Sequence, residues 1–131
     1  MSTIDSPGNN LFIITTGDWR ATQNDNLWQG AAGINNPCPA GYRVPTVAEL
    51  SAEVTAYNIT NCASAFASPL KFANSGYREN TDGSVIAGDL GYYWTNSVNS
   101  IYVNFLLYDD SSAQVLEDVR SYSFAVRCVK D

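Results

Sequence analysis

The 131-residue sequence contains no histidine. This absence removes the most common general base, the usual zinc ligand and every nucleophile that a Ser–His or Cys–His pair activates. Charged residues make up only 15% of the chain against 45% hydrophobic residues, a balance that excludes intrinsic disorder as the main state. The longest apolar runs, such as 101–108, are far shorter than the roughly 20 residues that cross a bilayer. We therefore expect no membrane insertion.

Positive charge is also scarce. Seven Lys and Arg residues against thirteen Asp and Glu residues give a net charge of -6, the wrong sign for neutralising a phosphate backbone. Nucleic acid is therefore excluded as an expected partner. The length fits one domain over residues 1–131, with 1–10 as a flexible or linker segment. Residues 1–5 lack the basic start of an export signal, so we expect any such signal outside this sequence.

Local patterns predict an α+β fold with little helix. Thr46 is a good N-cap residue and Glu49 completes a capping box, which predicts a helix over 46–57. Turn-forming residues predict a turn at 7–10, and two tryptophans among Asn and Asp residues predict an ordered loop between 17 and 38. Apolar and β-branched runs predict strands at 11–16, 70–72, 92–94, 101–108 and 124–129, the last three as an antiparallel meander.

More particular patterns lie at 36–46 (NPCPAGYRVPT), at Tyr93-Trp94-Thr95 and at 120–131 (RSYSFAVRCVKD). Together they resemble the Fibrobacter succinogenes major paralogous domain. Within that group the chain is similar to the variable proteins of diversity-generating retroelements. The segments 24–30 (NDNLWQG) and 65–71 (AFASPLK) also match, so the resemblance covers roughly residues 11–131.

This resemblance implies a C-type-lectin-like fold of the formylglycine-generating-enzyme type, with a small antiparallel sheet, one or two short helices and long ordered loops. It implies a non-enzymatic binding domain without a cofactor, carried on a phage tail tip or a bacterial cell surface. A diversified C-terminal surface would recognise a protein or cell-surface receptor. The matching positions imply a disulfide between Cys38 and Cys128, which leaves Cys62 free.

The predicted binding surface follows from strand alternation. If Leu106 and Tyr108 face the core, as the resemblance implies, Phe105 and Leu107 face solvent. Alternation alone leaves the opposite phasing open. Exposed apolar area at this place would mark an interaction site. The predicted ligand-binding residues are Tyr102, Asn104, Phe105, Leu107, Asp109, Asp110, Gln114, Leu116, Asp118, Val119, Ser121 and Tyr122.

Other interpretations compete with receptor binding. The same apolar face would serve as a homo-oligomer interface in an assembly module. An enzyme related to formylglycine-generating oxidases would need reactive cysteines or a metal site. Asp109, Asp110 and Asp118 are interpreted as turn carboxylates rather than calcium ligands, because the Trp-Asn-Asp and Glu-Pro-Asn triplets of calcium-dependent lectins are absent. Two further groups are given structural roles: the aromatic residues of 92–94 in the core, and the framework arginines Arg43, Arg120 and Arg127.

Overall fold

The computed structural model describes residues 1–5 and 11–131, so the predicted turn at 7–10 lies outside the described residues. The described chain is a small α+β domain with antiparallel sheets. None of its described helices is long and apolar enough to cross a membrane. The elements, in chain order, are β1 (Tyr42–Arg43), α1 (Val47–Ala56), α2 (Cys62–Ala67), β2 (Tyr77–Arg78), β3 (Val85–Ile86), β4 (Gly91–Asn99), β5 (Tyr102–Tyr108), β6 (Ala113–Val119) and β7 (Val129–Lys130).

The central sheet consists of β4, β5 and β6 in that order. Its register places Phe105 of β5 between Trp94 of β4 and Leu116 of β6. The predicted strands 92–94 and 101–108 are confirmed as parts of β4 and β5. The third strand is β6 and not the predicted 124–129. A tight turn connects β5 to β6. The Asp109 carboxylate stabilises this turn by accepting hydrogen bonds from the backbone N–H groups of Ser111 and Ser112.

The helix α1 confirms the prediction over 46–57. Thr46 Oγ1 accepts a hydrogen bond from Glu49 N at 3.2 Å, and Glu49 Oε2 accepts one from Thr46 N at 2.8 Å. This reciprocal capping box fixes the start of the helix. Leu50 then lies on the buried side of α1, which packs against β4 and β5.

One face of the sheet packs against the two helices. Leu106 and Tyr108 are fully buried there, as the resemblance implies, and the Tyr108 hydroxyl donates to Ala73 O at 2.5 Å. The buried residues of this first core are Leu50, Ile59, Ala65, Phe72, Tyr93, Leu106 and Tyr108.

The opposite face of the sheet is covered as well. Trp94, Val103, Phe105 and Phe124 form a second buried core, against which the half-buried Trp28 packs. The chain end reaches this place because Ala125 pairs with the free edge of β4. The Ala125 N–H donates to Tyr92 O, and the Ala125 carbonyl accepts from Trp94 N, both at 2.9 Å. The central strands are therefore buried on both sides.

Three of the predicted strands are wrong. Residues 11–16 form no strand, and Leu11 is 74% exposed. Thr15 N makes a single backbone hydrogen bond, to Asn80 O, so a β-branched run alone does not produce a strand without a partner edge. Residues 70–72 are irregular, although Phe72 is buried. Of 124–129, only Val129 belongs to a strand element.

The segment between 17 and 38 contains no helix or strand element among the described residues, which agrees with the predicted ordered loop. Leu27 and Trp28 anchor this loop in the interior. Residues 1–5 lie against it, because Ser2 N donates to the carbonyl of Trp19 at 2.8 Å.

Two connections join the N-terminal half to the end of the chain. Cys38 and Cys128 form the disulfide that the resemblance implies, across 90 residues of sequence. Immediately beside it, β1 pairs with β7 in antiparallel register. Arg43 of β1 donates to the Asp131 carboxylate at 2.7 Å and to Glu49 at 2.6 and 2.8 Å.

We expect loss of the disulfide to lower the free energy of unfolding by about 4 to 5 kcal/mol, because a loop of this length is released in the unfolded chain. Urea unfolding of the protein with and without dithiothreitol measures the difference. Cys62→Ser is the matched control, which should retain the full response to the reductant. An unchanged unfolding midpoint after reduction would contradict the expectation.

Glu49 makes stability depend on pH. Hydrogen bonds from Arg43 and then from the Thr46 backbone lower its pKa from 4.5 to about 2. Because the pKa is lower in the folded state, the carboxylate stabilises the fold above about pH 4.5, and this contribution is lost as pH falls toward 2. We expect Glu49→Gln to reduce the free energy of unfolding at pH 7 by about 0.5–1 kcal/mol, since the side chain is partly exposed. Urea titrations at a series of pH values should show the two proteins converging below pH 4.5.

Candidate binding surface and cleft

The structure corrects the central residue of the predicted site. Phe105 is only 3% exposed and belongs to the second core. Its ring centroid lies 4.7 Å from Phe124 and 5.7 Å from Trp94. Phe105 does point away from the first core, as alternation predicts, but the segment pairing with β4 supplies rings that shield it from solvent. It cannot contact a receptor directly.

Other predicted residues do share the face on which Phe105 lies. Leu107 is half-buried, Gln114 is exposed and Leu116 is 39% exposed. The register pairs Leu107 with Gln114 across β5 and β6, and Asp118 follows two residues after Leu116 on the same side. These side chains, with the half-buried Tyr122, form one continuous area.

A second group lies on the opposite side of the sheet, beyond the end of the first core. Tyr102 pairs with Val119 and Asn104 pairs with Glu117. The Asn104 amide donates to the Glu117 carboxylate at 3.2 Å. The predicted residues therefore do not form a single surface, since Tyr102, Asn104 and Val119 are separated from Leu116 by the thickness of the sheet.

The remaining predicted residues have structural positions. Asp109 caps the β5–β6 turn, and the bonds it accepts lower the pKa of its carboxyl group. Asp110 is exposed in the same turn. Ser121 is buried, and its hydroxyl accepts a hydrogen bond from the Asn80 amide at 3.1 Å. Ser121 is therefore not available on the outer surface, which corrects its prediction as a surface contact.

Sequence reasoning missed two tyrosines of this surface. The sequence predicts Tyr92 in the core with its two neighbours, yet of the three only Tyr93 and Trp94 are buried. Tyr77, from β2, lies 4.6 Å from Tyr92 between ring centroids. Alternation places Tyr92 on the side of Trp94, but nothing local predicts that Tyr77 joins it. We call the area formed by Tyr77, Tyr92, Leu107, Gln114, Leu116 and Tyr122 the tyrosine face.

The tyrosine face combines aromatic rings with acidic neighbours. Burial, then hydrogen bonding with Glu79 and the charge of Asp118, raises the pKa of Tyr122 to about 12. The pKa of Tyr77 is raised by burial and by Glu79 as well. Both hydroxyls therefore have the Glu79 carboxylate as a hydrogen-bond partner.

A cleft of about 410 Å³ lies at the other end of the same sheet face. Loop residues 11–35 form one wall, and the sheet with residues 120–126 forms the other. Trp19, Trp28 and Trp94 are among its lining residues, and Tyr122 lines both the cleft and the tyrosine face. The cleft has the size and the mainly apolar lining of a small-molecule site.

Arg120 holds the loop wall in place. Its side chain is 7% exposed, and its terminal nitrogens donate to Asn24 O at 3.2 Å, to Ser100 O at 2.5 Å and to the Asp25 carboxylate. The hydrogen bond from Arg120 is the largest cause that lowers the pKa of Asp25. This agrees with the structural role expected of the framework arginines.

The three cysteines are one linked pair and one free thiol. Cys38 and Cys128 are joined, and burial together with nearby Asp110 raises the pKa of the Cys62 thiol. A raised pKa leaves less thiolate at neutral pH. Among the described residues, no cluster of three acidic or cysteine side chains could hold a metal ion.

No protein-family model matches this chain, and no curated protein or solved structure matches it. Its function is therefore inferred from the side chains and their arrangement.

The buried position of Phe105 predicts a stability effect. Phe105→Ala should lower the free energy of unfolding by about 3 to 5 kcal/mol, because it opens a cavity in the second core. Leu116→Ala, on the next strand in the same row, should change it by less than about 1 kcal/mol. Urea unfolding of the two variants compares them directly. Equal effects would contradict the assignment of Phe105 to the core.

Proposed function

We propose that this domain is a non-enzymatic binding module that presents its C-terminal surface to a protein or cell-surface receptor, as in variable proteins of diversity-generating retroelements on phage tails or bacterial surfaces. We further propose that its α+β architecture is a C-type-lectin-like fold of the formylglycine-generating-enzyme type. The observation that carries the function is the tyrosine face, where three half-buried tyrosines lie beside Leu107, Leu116 and Gln114.

The physical properties of the tyrosine face support protein recognition. A tyrosine provides a large contact area, loses few rotatable bonds on binding and retains a hydroxyl for hydrogen bonding. The rings support one another, since Tyr122 lies 5.4 Å from Phe124 and 6.0 Å from Tyr77 between centroids. Preformed rings reduce the entropy lost on binding.

The chemistry of the chain supports a role without catalysis. The sequence has no histidine, and the Cys62 thiol has a raised pKa. The two other cysteines serve to link the halves of the domain. A related oxidase would use a reactive thiol or a metal site, and the raised pKa of Cys62 does not favour thiolate chemistry.

The two connections between β1 and the chain end support the proposed fold family. β1 pairs with β7 next to the disulfide, which brings the start and the end of the framework together. A framework closed in this way can hold a surface whose side chains vary.

Binding to intact bacteria tests the proposal. A fluorescently labelled domain is incubated with a panel of bacterial strains and measured by flow cytometry. We expect saturable binding to at least one strain, and we expect Gln114→Ala with Leu116→Ala to weaken it at least about tenfold, because both side chains are exposed on the tyrosine face.

Phe66→Ser is the matched control, since Phe66 is an exposed aromatic residue on α2, which packs against the other face of the sheet. Phe66→Ser should bind like the unmodified domain. If no strain binds, or if the double variant binds as well as the control, the tyrosine face is not the receptor site.

A homo-oligomer interface is the second candidate. Among the described residues β6 pairs only with β5, so its outer edge is open to another strand. Glu117 and Asp118 on this edge disfavour pairing with an identical copy. Sedimentation of the domain at micromolar concentration distinguishes the two functions, because a dimer that Leu116→Ala dissociates would favour assembly over receptor binding.

A further inference from the structure

Glu79 places a carboxylate against the tyrosine face. Arg78 and Ser123 form an antiparallel bridge, in which Arg78 N donates to Ser123 O at 3.0 Å and Ser123 N donates to Arg78 O at 3.2 Å. In such a bridge the residue after Arg78 lies opposite the residue before Ser123, and their side chains point to the same side. Glu79 therefore lies beside Tyr122. Its carboxylate is the hydrogen-bond partner of the hydroxyls of both Tyr122 and Tyr77.

Asp118 adds a second negative charge. It lies on β6, on the same side of the sheet as the exposed residues of the tyrosine face. Burial is the largest cause that raises the pKa of Tyr77, Tyr92 and Tyr122, and the charges of Glu79 and Asp118 raise the pKa of all three further. The three rings therefore lie close to both carboxylates.

No basic side chain of the described residues neutralises these two carboxylates. Every ion pair in the described parts of the chain involves other acidic residues. Arg78 is next to Glu79 in sequence, yet it donates to Gly83 O at 2.7 Å, and its guanidinium lies 5.4 Å from the ring centroid of Phe12. The chain as a whole carries a net charge of -6. A partner with complementary charge would therefore be positive where it meets the tyrosine face.

The rings of the tyrosine face suit a flat cation. The ring centroid of Tyr77 lies 4.6 Å from that of Tyr92 and 6.0 Å from that of Tyr122. Cations are attracted to the faces of aromatic rings. The guanidinium group of arginine is planar, stacks on such rings and matches the geometry of a carboxylate, whereas the ammonium group of lysine is a compact point charge. A carboxylate accepts about four hydrogen bonds, so Glu79 retains acceptor capacity beside the two tyrosine hydroxyls.

We propose that the tyrosine face binds an arginine side chain presented by the receptor, with the guanidinium against the tyrosine rings and its N–H groups donating to the Glu79 carboxylate. Asp118 contributes attraction through its charge. This inference rests on the proposed function, because it specifies the chemistry of the protein that the tyrosine face recognises.

Peptide titration tests the proposal without a known receptor. The probes are blocked alanine–X–alanine peptides in which X is arginine, lysine or citrulline, and the readout is the amide chemical shifts of the unmodified domain. Citrulline has the shape of arginine and no charge. We expect a Kd of about 1–10 mM for the arginine peptide. The citrulline peptide should bind at least about fivefold more weakly, and the lysine peptide at least about threefold more weakly.

Glu79→Gln is the decisive variant, because glutamine keeps an acceptor oxygen for the tyrosine hydroxyls and loses the charge. It should weaken the arginine peptide at least about fivefold and leave the citrulline peptide unchanged. Glu117→Gln is the matched control, since it removes the same charge from a carboxylate that pairs with the Asn99 and Asn104 amides, both at 3.2 Å, on the opposite side of the sheet. It should bind all three peptides like the unmodified domain.

Three titration results would overturn the proposal. If the arginine and citrulline peptides bind equally, or if neither binds, the tyrosine face does not recognise a cation. This comparison uses the unmodified domain and is decisive even if Glu79→Gln does not fold. If the lysine peptide binds as tightly as the arginine peptide, charge alone is recognised. If Glu79→Gln and Glu117→Gln bind the arginine peptide equally, the cation binds elsewhere.

Flow cytometry separates this proposal from the proposed function. Binding to a strain that the Gln114 and Leu116 double variant weakens and Glu79→Gln does not weaken would support the receptor surface and overturn the arginine inference. Arginine-selective binding of the peptides with no bound strain would support the arginine site and contradict the proposed function alone.

Discussion

The packing of Phe105 against Phe124 and Trp94 determines what this domain can expose. These three rings bury the second face of a sheet whose first face already packs against the helices. The chain end makes this possible, because Ala125 pairs with β4 and carries Phe124 onto the sheet face. Once the centre of the face is filled, the accessible residues lie around it. They form the tyrosine face, which includes the edge strand β6, and the cleft, and the two areas meet at Tyr122.

Much of the scaffold could be predicted from local sequence. The capping box at Thr46 and Glu49 depends on residues three positions apart, and the disulfide follows from the framework resemblance around Cys38 and Cys128. The burial of Leu106 and Tyr108 was also predicted from that resemblance. Each of these features depends on neighbours in the chain or on positions that the family motif matches.

The candidate site was harder to predict, because burial on the second face depends on segments distant in sequence. Alternation correctly turns Phe105 away from Leu106, but it contains no information about Phe124 or about the loop that carries Trp28. Tyr77 joins Tyr92 only because β2 lies near the sheet. The same limit explains the strand predicted at 11–16, since an apolar run needs a partner edge that sequence alone does not reveal.

The register of the sheet places buried and exposed side chains in the same rows. In the row of Trp94, Phe105 and Leu116, the first two residues are buried and the third, on the edge strand β6, is exposed. Exposure also increases toward β6 in the row of Tyr92, Leu107 and Gln114, where the first two residues are half-buried and Gln114 is exposed. A substitution of Gln114 or Leu116 on β6 therefore alters the surface without opening a cavity, whereas the same change at Phe105 on β5 removes core volume. Variation confined to Gln114, Leu116 and Tyr122 would change the exposed chemistry of the tyrosine face while the buried cores stay as they are.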